Sequence, residues 1–427
     1  NVFKASYSGY DYTATAEVNI ASSELAGNEN LTVNARIDNP VYNLMLPAPA
    51  SIGSYLVALA KGTALSAGKA SDFKELGGVV SNEFYDLSTA VNITGDTSVS
   101  GFEKVDLNSS VDSFLITAVV KGGSGSGDGV SFNGSVALMD YNTNLLDASS
   151  SNDQTKSRIF ISEDADITLT KQDAELNIVS DDILNAWVVA GGLKTGSASG
   201  AGIGFIDVET TRHSVNDVGG DILLHNADQN IAITSALNGG IIGGAVSIGV
   251  GTPSEGKKDA RIEGQGSIVL LDINDQVKSL FSGNLLNSST TTTYDVESVK
   301  VLAQSNTGYD TAAGALTVSL GAKGGAGFAG SVNIADIDTK IEASIDGSDI
   351  SSTLNGGDVY VYGVNTSKIN QYTVAATVAG SGSFAALSGS FNTLNDNTSV
   401  KSSVKNSNFN NGGTTNNSGS LYLRSLD

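Results

Sequence analysis

The stretch that decides the fold is Gly356-Gly-Asp-Val-Tyr-Val-Tyr-Gly-Val-Asn365. Its two glycines and aspartate supply a tight turn, and an asparagine closes the segment. Between them, apolar residues occupy alternate positions, which is the pattern of a β-strand with one buried face. The segment therefore predicts a short strand bounded by turns.

The same pattern recurs along the chain, at residues 30–38, 103–108, 164–170, 219–226, 266–272 and 419–427. We take the first apolar residue of each copy as equivalent: Leu31, Val105, Ile167, Ile222, Ile268, Val359 and Leu421. Neighbouring equivalents are then separated by 46 to 91 residues. We interpret this as repeats of irregular length, each holding two to four coils of a solenoid and inserted loops.

Two further patterns lie between these copies. One is rich in Ala and Gly, as at residues 327–334 and 243–250, and suits a narrow interior where backbones approach closely. The other alternates charged and apolar residues, as at residues 339–345, and predicts a strand with one solvated face. Residues 54–60 and 181–190 are the best helix candidates, although both also fit strands. The expected fold is all-β, a right-handed parallel β-helix, or β-solenoid, with irregular repeats and loop insertions.

Composition agrees with many short strands. The chain has 427 residues, far more than the roughly 150 of one typical domain, which favours several domains or one elongated repeat architecture. It contains 50 glycines but 4 prolines, so turns are abundant and strand-breaking rings are few. Hydrophobic residues make up 40%, enough to form a core. Cysteine is absent, which excludes disulfides and thiolate metal sites.

The chain divides at a proline-containing stretch, Leu46-Pro-Ala-Pro49. We expect residues 1–50 to form an N-terminal β segment continuous with a solenoid over residues 51–427. The final residues, Leu421-Tyr-Leu-Arg-Ser-Leu426, stop inside a repeat strand without a polar cap. We therefore expect this chain to be a fragment of a longer polypeptide.

Charge restricts the partners. The formal net charge of −22 repels phosphate backbones and anionic membranes, so we expect no nucleic-acid binding. The longest uncharged run with apolar character, residues 231–252, contains Gly240-Ile-Ile-Gly-Gly244, which resembles a membrane-helix packing motif. Its further glycines and interspersed polar residues fit strands better, so we expect no membrane insertion of this segment.

The Ala/Gly-rich strands carry a resemblance. Gly324-Gly-Ala-Gly-Phe-Ala-Gly-Ser-Val-Asn-Ile-Ala-Asp-Ile-Asp-Thr-Lys-Ile-Glu-Ala-Ser-Ile345 and Gly240-Ile-Ile-Gly-Gly-Ala-Val-Ser-Ile248 are the clearest examples. The chain resembles, over residues 50–427, the passenger regions of type V-secreted proteins: autotransporter and filamentous-haemagglutinin-like adhesins of Gram-negative bacteria. The resemblance implies export across the outer membrane, a long β-helix and contact with host cells, other bacteria or a biofilm matrix. It implies no catalytic residues.

Calcium is the one metal that the sequence suggests. Asp128 lies in Gly122-Gly-Ser-Gly-Ser-Gly-Asp-Gly-Val130, which is close to a calcium-binding nonapeptide but occurs once, whereas that motif needs tandem copies. The pairs Asp336 with Asp338 and Asp272 with Asp275 are further candidate oxygen ligands. A flexible turn and solvated turn caps are the alternatives.

Other motifs point to no chemistry. Gly325-Ala-Gly-Phe-Ala-Gly330 matches a dinucleotide fingerprint, but a strand pattern follows it where a helix is required. Neither His213 nor His225 has a partner at metal-ligand spacing. The five arginines are too few for a β-helical lyase or hydrolase that gathers acids and cations on one sheet. Arg261 near Glu263 and Lys340 near Glu342 come closest, and cross-strand ion pairs explain them.

The sequence thus predicts an extracellular, non-enzymatic scaffold of a bacterial surface protein that presents loops to cells, glycans or matrix. A self-assembling filament or layer subunit, through homo-association, and a β-helical polysaccharide lyase or hydrolase are the alternatives. Residues 283–295 and 122–129 are the candidate contact loops, because loops carry function more often than scaffolds do. We expect no cofactor apart from calcium.

Overall fold

The computed structural model describes residues 4–45, 77–125, 130–147, 156–196, 199–251, 262–287, 296–319, 325–350, 357–380, 385–409 and 419–427. Every regular element in these ranges is a strand. The strands are β1 Lys4–Ala21, β2 Glu24–Ala26, β3 Asn30–Met45, β4 Gly77–Thr94, β5 Ser98–Ser100, β6 Lys104–Gly125, β7 Val130–Asn144, β8 Leu146–Asp147, β9 Lys156–Ser157, β10 Ile159–Ile161, β11 Asp166–Leu169, β12 Glu175–Gly196, β13 Ser199–Val218, β14 Asp221–Leu224, β15 Gln229–Gly251, β16 Ile262–Phe281, β17 Leu285–Asn287, β18 Val296–Ser319, β19 Ala326–Asp346, β20 Asp358–Asn365, β21 Lys368–Ala379, β22 Ala385–Lys405 and β23 Leu421–Leu426.

Most strands belong to three parallel sheets, and β8 pairs with β9 in a short antiparallel sheet. Sheet 1 has the order β1, β4, β10, β13, β16, β19, β22, with β7 pairing β4 and β13 beside β10. Sheet 2 runs β3, β6, β12, β15, β18, β20, β23, with β21 also pairing β18, and the short sheet 3 runs β2, β5, β11, β14, β17. Because each strand pairs with the strand one coil away, the all-β, parallel solenoid expected from the sequence is confirmed.

One coil passes from sheet 1 through sheet 3 to sheet 2. In the second coil these strands are β4, β5 and β6. The long strands of sheets 1 and 2 face each other, and sheet 3 joins them at one end of the cross-section, the sheet-3 end. The chain crosses from sheet 2 back to sheet 1 at the opposite end, the loop end. The first coil belongs to the same stack, since β1 pairs with β4 along its whole length.

Strict alternation of side chains explains the length of the strands. In β16, every odd residue from Glu263 to Phe281 is buried, and the even residues face outward. A strand of 20 residues with period two buries ten side chains on one face. The two long sheets therefore enclose a wide, thin interior.

The character of the interior changes from end to end. At the sheet-3 end an apolar cluster contains rows such as Val105, Leu176, Ile231 and Val299. A second apolar cluster lies farther along the sheets and includes Leu184, Ile241 and Val269. Buried polar side chains lie between the two clusters and at the loop end. The stack therefore has two apolar cores separated by a polar layer.

The repeat interpretation from sequence is wrong in one respect: each repeat is a single coil. The interior positions equivalent in sheet 2 are Leu31, Val105, Leu176, Ile231, Val299, Val359 and Leu421. The spacing between neighbours in this row is 55 to 74 residues, as from Leu176 to Ile231 (231 − 176 = 55) and from Leu31 to Val105 (105 − 31 = 74). Strands of about 20 residues, rather than short ones, account for coils of this size.

The seven positions taken as equivalent from the sequence belong to three different sheets. Leu31 with Val105 and Val359 with Leu421 are in register as expected. Ile167 and Ile222 instead pair in sheet 3, and Ile268 lies on the outer face of sheet 1. A turn followed by alternating residues marks a strand of any sheet, so this pattern alone does not identify which strands stack.

Three further expectations can be compared with the structure, and the loop expected at residues 283–295 is wrong in its first part, which contains a strand. The Ala/Gly-rich and the charge-alternating patterns at residues 327–334 and 339–345 are two halves of β19. The helix candidate at residues 181–190 lies within β12, while residues 54–60 fall outside the described ranges. Of the predicted loop at residues 283–295, Leu285–Asn287 forms β17, and Leu285 is fully buried; residues 288–295 fall outside the described ranges.

Candidate functional site

A groove of about 450 Å³ lies on the outer face of sheet 2, near the middle of the coils. Its floor is a row of outward positions from four successive coils: Asn185, Gly240, Gly308 and Lys368. The two glycines have no side chains, so a trough remains between the asparagine and the lysine. The groove therefore exists because glycines stack in register on neighbouring strands.

Two adjacent glycines of β15, Gly239 and Gly240, are required by close contacts with neighbouring backbone. Gly239 has a φ of +103°, in the left-handed region that favours glycine, and a Cβ there would lie 2.1 Å from the Leu184 carbonyl oxygen. A Cβ at Gly240 would lie 2.7 Å from the Gly308 carbonyl oxygen. A Cβ at Gly308 would contact nothing within 4 Å. The free space of the groove is thus the space above Gly308.

One wall of the groove is largely apolar. Trp187 and Ile242 are neighbours in register, and Asp310 continues their row on the next strand. Trp187 is the only tryptophan of the chain and is 46% exposed, and Ile242 is 44% exposed. An aromatic ring and an aliphatic side chain therefore form an open apolar surface beside the trough.

The other groups around the groove are polar. The Asn370 amide donates a 2.7 Å hydrogen bond to the Asp310 carboxylate, and the Thr366 hydroxyl donates to the Asn306 side-chain oxygen at 3.2 Å. Within the described part of the chain, the Asn185 amide and the Lys368 ammonium have no hydrogen-bond partner in the protein. These two groups are available to a bound molecule.

Beyond this groove, towards the loop end, the outer faces of both long sheets carry no charged side chain in the described ranges. On sheet 2 the exposed apolar residues are Trp187, Val189, Leu193, Ile242, Val246, Tyr372, Val374 and Val378. On sheet 1, Val136, Phe205, Ile268, Val332 and Phe391 form an outward row in register. We call this region the uncharged half of the stack.

The interior of the uncharged half is polar. Lys194 forms an ion pair with Glu263 between the two sheets, and both side chains are fully buried. The Ser247 hydroxyl donates a 2.6 Å hydrogen bond to Gln265. Polar residues inside and apolar residues outside reverse the usual arrangement of a folded domain. The outer faces here are thus unlike ordinary solvated sheet surfaces.

Of the two pairs of calcium candidates, Asp336 and Asp338 lie on the same face of their strand, whereas Asp272 and Asp275 lie on opposite faces. Asp336 and Asp338 both face outward on β19, and Asp272 lies next to Asp336 on the neighbouring strand. Asp275 faces the interior instead, because residues three apart in a strand point to opposite faces. Asp128 lies outside the described ranges.

The outward acids form a ladder across the coils, Asp140, Glu209, Asp272 and Asp336. Partial burial, followed by the repulsion of Asp207, Asp140 and Asp272, raises the pKa of Glu209. Asparagine amides cap parts of the ladder: Asn395 donates to Asp336 at 3.0 Å and Asn142 to Asp140 at 2.8 Å. Among the described residues no group of three or more His, Asp and Glu side chains could hold a metal ion.

The polar layer between the two cores contains Arg158 and Arg212, two of the five arginines of the chain. Arg158 pairs with Asp182 at 2.9 Å, and the Arg212 Nε donates to Asp275 at 3.1 Å. All four side chains are buried. Burial alone would lower the pKa of the Arg212 guanidinium, but Asp275, Tyr309 and Asp182 together outweigh it and raise that pKa. These pairs therefore act inside the stack.

The remaining sequence candidates have structural positions. A strand begins at Ala326 within the dinucleotide-like motif, so no helix follows its glycines. The His213 ring nitrogen Nδ1 lies 2.7 Å from the Thr143 carbonyl oxygen. Glu263 pairs with buried Lys194; Arg261 is outside the described ranges. Lys340 contacts Asp338 at 3.2 Å, and Glu342 accepts a bond from Lys401 at 2.9 Å on the next strand.

Sequence reasoning missed the groove. Its floor residues Asn185, Gly240, Gly308 and Lys368 are separated by 55, 68 and 60 residues, which follows from their register (240 − 185, 308 − 240 and 368 − 308). Unequal spacings give no periodic signal. The single tryptophan was the one feature in the sequence that could have marked the place.

No helix in the described ranges has the length and apolarity to cross a bilayer. Comparison with known proteins found no match to the chain among protein-family models, curated proteins or solved structures.

Proposed function

We propose that this chain is an extracellular structural and adhesive scaffold of a bacterial surface protein. The observation that carries the proposal is the stack itself, in which seven coils pair in register through two long sheets. Each coil satisfies the backbone hydrogen bonds of its neighbours, so the assembly is stiff along its axis. Such a stack displays broad lateral faces.

The resemblance to type V-secreted adhesins supports this proposal, because a long parallel β-helix is the architecture that it implies. The outer surface supplies two means of contact: the groove beside Trp187 and the uncharged half of the stack. Apolar sheet faces without charges are typical of surfaces that bind other molecules. The partners we propose are protein or glycan ligands on host cells, other bacteria or a matrix.

The test is adhesion without turnover. Fluorescently labelled chain is added to epithelial cells, to bacterial cells and to matrix-coated plates, and bound label is measured after washing. In parallel, polysaccharides incubated with the chain are assayed for new reducing ends. We expect saturable binding to at least one surface and no increase in reducing ends. An increase in reducing ends would favour the lyase or hydrolase alternative, and absence of binding to all surfaces would contradict adhesion.

A second function is favoured by a separate observation, the uncharged half on both long sheets. Outward residues 187–193 of β12 span about 20 Å, and the strands from β6 to β21 span about 19 Å, at roughly 3.3 Å per residue and about 4.8 Å per strand. The flat area of one face is then about 400 Å², roughly half of what one partner contributes to a stable interface, and the two faces point in opposite directions, so that each can contact a different copy. Lateral association of copies into a surface filament or layer is the function that this favours.

A further inference from the structure

The groove on sheet 2 selects its ligand by shape. From Asn185 to Lys368 it crosses three strand spacings, about 14 Å at roughly 4.8 Å each. Its width is one row of glycines, because Trp187 and Ile242 rise on one side and Asn306 on the other. A ligand that fills it is narrow and elongated, and lies across the strands.

The lining selects for a molecule that is apolar on one face and rich in hydroxyls at its edges. The exposed faces of Trp187 and Ile242 are suited to stacked C–H groups. The Asn185 amide can both donate and accept, the Lys368 ammonium donates, and the Asp310 carboxylate accepts. A sugar ring has this combination, with C–H groups on its faces and hydroxyls around its rim.

Charge excludes the main alternatives. The groove contains one carboxylate, Asp310, and one ammonium, Lys368, so its local charge is balanced. The net charge of −22 repels nucleotides, polyphosphates and acidic polysaccharides. A peptide that binds by strand addition needs an exposed sheet edge, whereas this groove lies on a sheet face. An uncharged oligosaccharide meets all of these conditions.

We propose that the groove of Asn185, Trp187, Gly240, Gly308, Asp310 and Lys368 binds an uncharged oligosaccharide, one ring of which stacks on Trp187. This inference rests on the proposed adhesive function and identifies the class of ligand that the scaffold binds. Gly308 keeps the trough open, and Asn185 and Lys368 bind hydroxyls at its two ends.

The single tryptophan is the reporter for the test. The full chain is titrated with maltotriose, cellotriose, mannotriose and N,N′,N″-triacetylchitotriose, and the emission of Trp187 and the heat of binding are recorded. We expect a saturable change with at least one of these sugars. Gly308→Val adds a side chain to the trough at a position where a Cβ meets no atom within 4 Å, and it retains the tryptophan. It should weaken binding at least tenfold.

The matched control is Gly330→Val. Gly330 lies on the outer face of sheet 1, and a Cβ there also meets nothing within 4 Å. Binding should be unchanged in this variant, and circular dichroism should be the same for both variants and the parent chain. A third variant, Trp187→Ala, followed by calorimetry, should abolish binding.

The outcomes separate the two proposals. If none of the four sugars binds while the chain still adheres to cells or matrix, the glycan assignment is overturned and the adhesive function stands. If a sugar binds equally well to Gly308→Val, the site lies elsewhere and the assignment also fails. If the chain binds neither sugars nor surfaces, both proposals fail.

Discussion

At the scale of residues, the polar layer inside the stack shows how a buried charge is tolerated. Arg212 is surrounded by groups that favour its charge: the Asp275 carboxylate, the Tyr309 hydroxyl at 3.0 Å and the Asn238 carbonyl oxygen at 3.4 Å. Tyr309 also donates to Asp275 at 3.0 Å. Loss of one partner would leave the other charge buried without compensation, and that is costlier than removal of both.

Arg212→Met should therefore be more damaging than the double substitution Arg212→Met with Asp275→Leu. We expect the single variant to lose about 3–5 kcal/mol of unfolding free energy, and the double variant to regain most of it. Urea unfolding followed by circular dichroism measures both. A double variant as unstable as the single one would show that the pair contributes through packing rather than through mutual compensation of charge.

Glu83 is a second buried ionisable group, and its effect on stability can be measured as a function of pH. It accepts hydrogen bonds from Asn43 at 2.8 Å, Ser81 at 3.2 Å, Tyr85 at 2.9 Å and Thr117 at 2.6 Å. Burial nevertheless raises its pKa above the ordinary value of 4.5, since desolvation exceeds the opposing effect of these donors. The folded state therefore holds this proton more tightly than the unfolded state does.

The stability that the protonated Glu83 provides is fully present below pH 4.5 and is lost as the pH rises through the folded-state pKa. Glu83→Gln cannot titrate. The unfolding free energy of the parent chain minus that of this variant should therefore fall as the pH rises from about 4 to about 8. Urea unfolding of both proteins across this range measures the difference. A difference that stays constant, or that grows with pH, would contradict the raised pKa.

At the scale of elements, alternation along one strand decides which side chain enters the core. Leu270 and Leu271 are adjacent in β16, yet Leu271 is buried and Leu270 lies on the outer face. The two positions form a matched pair, because both are leucines and both lie on the same strand of the same coil. A difference in stability between the same substitution at the two positions therefore reports only whether the side chain faces the core or the solvent.

Leu271→Asn should cost about 2–5 kcal/mol, because it removes a buried leucine and places an amide in the apolar core. Leu270→Asn should change stability by about 0.5 kcal/mol or less. Thermal and urea unfolding of the two variants provide the comparison. Equal losses at the two positions would mean that the register of β16 differs from the one described.

Strands, turns and the parallel stack could be predicted from the sequence, because a period of two and turn residues are local signals. Which strands stack could not, since β12 and β15 are offset by 55 residues and β15 and β18 by about 68. Connections between coils differ in length, and the register is fixed by burial across the whole interior. The groove depends on this register, because Gly240 and Gly308 form a trough only when they are neighbours.

At the scale of the whole molecule, charge and apolar surface are separated. The outer faces near sheet 3 carry charged residues, such as Arg36, Asp112 and Lys401. Towards the loop end the outward positions of the described strands are uncharged, and several apolar side chains there are about 40% exposed or more. Copies with a net charge of −22 repel each other at long range, so they can approach closely only through this half.

We therefore expect the chain to associate through the uncharged half as its concentration rises. Val189 and Val179 are both outward residues of β12, the first in the uncharged half and the second nearer sheet 3. Val189→Lys introduces a charge that an apolar interface would have to desolvate, so it should weaken association at least tenfold, whereas Val179→Lys should leave it unchanged. Sedimentation velocity over a range of concentrations measures both variants.

The association should also strengthen with added salt, because screening reduces repulsion between like-charged copies while apolar contacts persist. A chain that stays monomeric at high concentration and high salt would exclude the filament or layer function and leave the groove as the remaining contact surface.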